Sequence, residues 1–150
     1  MCSPDLPAVA PAQAFASAAA ASDAFEIATS KLAAEQAQSL AVKKFAQQMI
    51  KAHTDSTAKL KAAASEASPA IMPDPALNPE QQQTLASLQA ASGADFDRAY
   101  AAAQVDAHEK TLAALKDYAG TGDVPSLKTF AASTTPVVAA HLNMAKALKP

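Results

Sequence analysis

Ser39-Leu40-Ala41-Val42-Lys43-Lys44-Phe45-Ala46-Gln47-Gln48-Met49-Ile50-Lys51-Ala52-His53-Thr54-Asp55-Ser56-Thr57-Ala58-Lys59-Leu60 is the stretch on which the fold turns. Val42, Ala46, Met49, His53, Ser56 and Leu60 recur at spacings of 4, 3, 4, 3 and 4, a heptad-like seam that only a helix places on one face. Ser39 stands just before the seam as an N-cap, and the pattern predicts a helix to about Ala67.

The rest of the chain repeats this logic. A helix is expected from about Ala14 to Gln38, with Phe15, Phe25, Ile27 and Leu32 among many alanines. Pro69, Pro73, Pro75 and Pro79 interrupt any helical reading of the connection that follows Ala67. Asn78-Pro79-Glu80 reads as an N-cap followed by proline at the first helical position, opening a short helix to about Ala91 that Gly93 ends. A third long helix spans about Ala94 to Ala119, with Ala101, Val105, His108, Leu112, Leu115 and Ala119 as its seam and Gly120 as its C-cap. A fourth runs from about Pro125 to Leu148, with Leu127, Phe130, Thr134, Val137, His141, Met144 and Leu148 as its seam and a kink or break near Pro136. Four long amphipathic helices, short turns within the first and last pairs, and a short extra helix between the pairs describe an all-α antiparallel four-helix bundle over residues 14–150, preceded by a Pro/Ala-rich tail, 1–13.

Composition agrees. Half of the 150 residues are hydrophobic, alanine dominates that half, only three glycines occur and tryptophan is absent. The net charge is −2, and Arg98 is the only arginine, so the basic stripe of a nucleic-acid binder is missing. Met1-Cys2-Ser3-Pro4-Asp5 reads as the start of a mature lipoprotein, with Met1 in place of a removed leader. The expectation is an exported or periplasmic protein, with Cys2 a candidate for a membrane tether; the competing reading is an ordinary cytosolic N-terminus in which Cys2 is accidental.

The three histidines fall one to each of three long helices, and all three occupy seam positions. Counted from position 39 at the first turn and from positions 121 and 124 at the two ends of the last, His53 and His108 lie roughly 14 and 13 residues up their helices, and His141 roughly 17. Glu26 has the matching height on the first helix. Three imidazoles and one carboxylate at one level make a site for a divalent transition metal, with zinc or copper ahead of iron. Met49 and Met144 share faces with His53 and His141, and their thioethers would favour copper. Tyr100 and Gln104 share a face with His108 and are candidates for a supporting role. The competing reading is a metal-free hydrogen-bonded network with methionines as packing. A di-iron carboxylate centre is not expected, because Glu-x-x-His is absent: Ile50, Val105 and Val138 stand three residues before the histidines. Neither Gly-x-Ser-x-Gly nor a Cys-x-x-Cys pair is present, so no catalytic motif is complete.

Several segments together resemble a bacterial ferritin-like family of unknown function whose members are often labelled predicted outer-membrane or exported proteins. They are Phe25-Glu26-Ile27, Val42 through His53, Ser92-Gly93-Ala94-Asp95-Phe96-Asp97-Arg98-Ala99-Tyr100, Asp106-Ala107-His108, Leu127 through Ala131, and Pro136 through Leu142. The resemblance runs from about Phe15 to Leu148 and implies the bundle fold and export, but no activity. Its pattern usually has an aspartate immediately before the histidine of the second helix, where this chain has Ala52.

Overall fold

The computed structural model describes residues 10–150, so Cys2 and the proposed tether lie outside the described residues. Among the described residues the chain is all-helical, with five helices and no strand. They are α1 (Pro11–Gln36), α2 (Leu40–Ser65), α3 (Pro79–Ala90), α4 (Gly93–Thr121) and α5 (Pro125–Ala147).

The caps explain most of the boundaries. Proline opens α1, α3 and α5, where the missing N–H costs nothing and φ is already helical. For the same reason α1 begins at Pro11, three residues before the periodicity alone places it. Ser39 accepts from the Val42 N–H at 3.4 Å and caps α2 as expected. Asn78 and Gln81 form a reciprocal capping box on α3, at 2.8 and 2.9 Å. The turn between α1 and α2 is pinned from outside, because the buried carboxylate of Asp97 on α4 accepts the N–H groups of Gln38 and Ser39 at 3.0 and 2.8 Å.

Three local expectations are corrected. Gly120 is inside α4, and the helix ends at Gly122, whose N–H reaches the Tyr118 carbonyl at 2.7 Å. Pro136 does not break α5, which passes through it unbroken. Thr135 Oγ1 donates to the Ala131 carbonyl at 2.8 Å, one residue before the Ala132 carbonyl that Pro136 cannot serve. Leu127 and Phe130 of the expected α5 seam are buried, but the rest of the inward face is Ala131, Val138, Leu142 and Ala145, while Val137 and Met144 are exposed. Small residues face inward there, so side-chain size misled the reading.

Packing links α1 to α2, α2 to α5, α5 to α4 and α4 to α1, which closes a ring of four long helices; α3 lies against α1 and α4. Two apolar clusters fill the interior. One holds Phe15, Leu60, Leu115, Tyr118, Leu127 and Phe130. The other holds Val42, Phe45, Met49, Leu88, Phe96 and Tyr100. On α1, α2 and α4 the segment between the two clusters carries buried polar groups: Asp23 and Glu26, His53, and Gln104 and His108. On α5 the corresponding position is His141, partly buried. The functional question is confined to this polar layer.

Candidate metal centre

Of the four residues expected at one height, the structure groups the three histidines within metal-binding distance, while Glu26 stands beside His53 and outside that group. The ring centroids of His53, His108 and His141 form a nearly equilateral triangle with sides of 5.9, 6.1 and 6.2 Å. One nitrogen of each ring lies within 4.8 Å of one nitrogen of the others. Glu26 is 1% exposed, and its Oε1 lies 4.0 Å from His53 Nε2. Phe25, its neighbour and rival for the inner face, is also buried.

Two rings are fixed from behind. His53 Nδ1 is 2.8 Å from Asp23 Oδ1, and the Thr57 hydroxyl, 2.8 Å from the His53 carbonyl and 3.2 Å from the other oxygen of Asp23, shares its one proton between those two acceptors. His108 Nδ1 is 2.7 Å from the backbone carbonyl of Gln104. Carboxylate and carbonyl oxygens only accept here, so each Nδ1 carries the proton and donates. That assignment leaves Nε2 of both neutral rings with a free lone pair. Neither Nε2 has a hydrogen-bond partner, and the same holds for His141 Nδ1 and both carboxylate oxygens of Glu26.

The cluster is therefore a buried set of acceptors with almost no donors. The Gln104 side-chain amide stands beside Glu26 and is itself unpaired. Leaving such atoms bare costs free energy, and a cation among the three ring nitrogens would satisfy those three at once. Three imidazole nitrogens are donors that suit zinc or copper, and Glu26 is the nearest carboxylate, beside His53. Metal–ligand bonds of about 2.1 Å put donors about 3.4 Å apart, so each ring must move inward by roughly an ångström.

Protonation follows from the surroundings. Burial pushes the Glu26 carboxyl up to about 7, against the opposing pull of His53. Burial also lowers His108 to about 4, helped by the neighbouring histidines, and lowers His141. Burial opposes a charge on His53 as well, but its hydrogen bond to Asp23 and the charges of Glu26 and Asp23 outweigh it and raise its pKa. His108 and His141 are held in the neutral, ligating form, whereas His53 is the ring that protons reach first.

The remaining candidates separate. Met144 is 38% exposed, unlike the buried histidines His53 and His108. Met49 is fully buried in the apolar cluster with Phe45 and Tyr100. Tyr100 donates to or accepts from Ser30 Oγ at 2.8 Å and sits in that same cluster. Gln104 contributes twice, through its carbonyl to His108 and through its side chain beside Glu26. Asp23 escaped the sequence reading. Its spacing of three from Glu26 put it on the same helical face, and that was the available signal.

With this geometry in hand, the family model described as Domain of unknown function (DUF4142) matches residues 3–148. The chain belongs to that family. The DUF4142 description carries no activity, so the site alone must argue for one. No curated protein matches the chain, and no solved structure does. Among the described residues, no helix is long and apolar enough to cross a membrane.

Proposed function

We propose that this DUF4142 chain is an exported ferritin-like four-helix bundle that binds one transition-metal ion in its core. The ligands are His53, His108 and His141, with Glu26 as the fourth. One observation supports the reading: three buried or partly buried ring nitrogens from three helices lie within 4.8 Å of one another, none of His53 Nε2, His108 Nε2 and His141 Nδ1 has a hydrogen-bond partner, and the Nδ1 protons of His53 and His108 point outward to Asp23 and Gln104. A carboxylate holding the far side of a ligating imidazole is the usual outer support of a metal site. Zinc and copper fit the nitrogen-rich set. With Met144 outside the cluster, the argument for copper from thioethers falls back on nitrogen chemistry alone. Lipid attachment at Cys2 belongs to the same proposal, as a tether at the cell envelope.

Elemental analysis tests it. Protein purified without chelator and dialysed against an equimolar mixture of Zn, Cu, Fe, Ni and Mn should retain about one equivalent of one metal. The His108→Ala variant should retain none. Full retention by that variant would sink the site.

The second reading is a metal-free polar network in a structural or interaction protein. It draws on His53, whose raised pKa between Asp23 and Glu26 favours an imidazolium bridging two carboxylates. In that case metal would leave the melting temperature unchanged, and apo His53→Ala would be destabilised by about 1–3 kcal/mol through stranding its partners.

A further inference from the structure

The short helix α3 is anchored at one end only. Its one buried residue is Leu88, near the C-terminal end, which joins the apolar cluster of Phe96 and Tyr100. Towards the N-terminal end α3 turns the polar side chains of Gln81 and Thr84 to the bundle. The surface opposite is built of small residues, among them Ala18 on α1 and Ala107 and Ala114 on α4, with the rings of Phe15 and Phe25 behind them. Side chains this short do not reach across. A cleft of about 320 Å³ remains between α1, α3 and α4. That volume is at the lower end of the range of small-molecule sites, roughly 300–1,000 Å³, and its mostly apolar walls with a few polar groups are of the same kind.

The charges in the cleft have one sign in excess. Glu80 on α3 and Asp106 and Lys110 on α4 are its charged lining residues, two carboxylates against one ammonium. Lys110 bonds to both, to Glu80 across the cleft and to Asp106 at 3.0 Å along α4. All three side chains are more than half exposed, so these pairs are weak and open to exchange. An incoming ammonium finds two acceptors already aimed at one cation. An incoming carboxylate meets two like charges. None of His53, His108, His141 and Glu26 lines the cleft, so its chemistry does not depend on an ion in the polar layer.

We propose that this cleft is a binding site for a small amphipathic cation, an alkyl- or arylamine. Its apolar body covers the alanine floor, and its ammonium joins Glu80 and Asp106 at the mouth in place of Lys110. Bound there, it ties α3 to α4 at the end where α3 has no buried side chain of its own.

The test uses the full chain, freed of metal by chelator and desalted so that an amine has no ion to coordinate. Phenylbutylamine is the probe and phenylbutanoate its anionic counterpart, each titrated while backbone amide NMR shifts are followed. The amine should shift Ala18, Thr84 and Ala107 saturably and leave Ala52 and Val137, on the α2–α5 side, in place. Phenylbutanoate at the same concentrations should shift none of them. Glu80→Gln combined with Asp106→Asn should weaken the amine by about tenfold or more, whereas Lys110→Gln, which removes the competing ammonium, should bind it as tightly or more tightly. Ala18→Leu changes an exposed helix position and fills the cleft, and it should abolish the shifts; Ala114→Leu does the same from α4 if the first variant does not fold. The proposal is overturned if the amine produces no saturable shifts, if phenylbutanoate binds as tightly as the amine, or if a folded filling variant binds the amine unchanged. Weaker amine binding in Lys110→Gln would also overturn it, because Lys110 would then be holding the ligand and not competing with it.

Discussion

Replacing Glu26 by glutamine should stabilise the metal-free protein at pH 8 and weaken the metal-bound one. In the unfolded chain the carboxyl ionises around its ordinary value of 4.5, whereas in the folded state burial delays ionisation to about 7. A folded pKa that lies above the unfolded one favours the folded state fully below pH 4.5. That advantage is lost as the pH rises through 7. At pH 8 the protein therefore carries a deficit of about 3 kcal/mol, taking ~1.4 kcal/mol per pKa unit. Glutamine has nearly the same shape and no charge to bury, so Glu26→Gln recovers most of this. For a chain of this size ~1 kcal/mol shifts the midpoint by about 2–4 °C, which gives a gain of about 6–12 °C. Thermal melts by circular dichroism on chelator-treated, desalted protein at pH 4, 6 and 8 would follow it. The gap between variant and parent should be near zero at pH 4 and widest at pH 8. Saturating zinc should reverse the order, because the variant loses its anionic ligand. Parallel curves with the same gap at every pH would refute the reasoning, since they would mean that Glu26 is not ionising in a dry site.

Other outcomes follow from the same layer and its frame. Asp23→Asn should weaken metal binding by about 10–100-fold without abolishing it, as a competition titration with a chromophoric chelator would report, because it removes the acceptor that orients His53. Lowering the pH should release metal first through His53, so a His53 proton signal followed by NMR should titrate before that of His108, which stays neutral to about pH 4. Gly122→Ala should destabilise by about 1–3 kcal/mol in denaturant melts, because a Cβ there collides with the ring and carbonyl of Tyr118. Gly120→Ala has open space and sits inside α4, so it should stabilise by up to about 1 kcal/mol. Leu60→Ala, fully buried, should cost about 2–5 kcal/mol in the same assay.

Much of this architecture was legible in the sequence because helices announce themselves by period and punctuation. Ser39, Asn78, Pro79 and Pro125 mark their boundaries through backbone chemistry, and the structure uses each of them that way. The shared level of the histidines and Glu26 was countable from the turns because the rise per residue is fixed. Rotation about the helix axis was harder to read. An alanine-rich helix has little contrast between faces, so in α5 the bulk of Val137 and Met144 suggested an inner face that Ala131 and Ala145 actually occupy. The same ambiguity hid Tyr118, which is buried in α4, whereas Val105 and Leu112 are only partly so. Asp23 was missed for another reason. A carboxylate on a mostly alanine helix reads as solvated until its partner, 30 residues away, is known.

The polar layer draws one donor from each of the four long helices: Glu26 on α1, His53 on α2, His108 on α4 and His141 on α5. An ion held there joins segments that stand far apart in the chain, and no long helix can peel away without surrendering a bond to it. The ion's residence time would then be governed by opening of the whole interior, not by fraying of a loop. Protease resistance and the slowest amide-exchange rates should rise and fall together with occupancy, so the metal would act as a kinetic lock on the entire molecule.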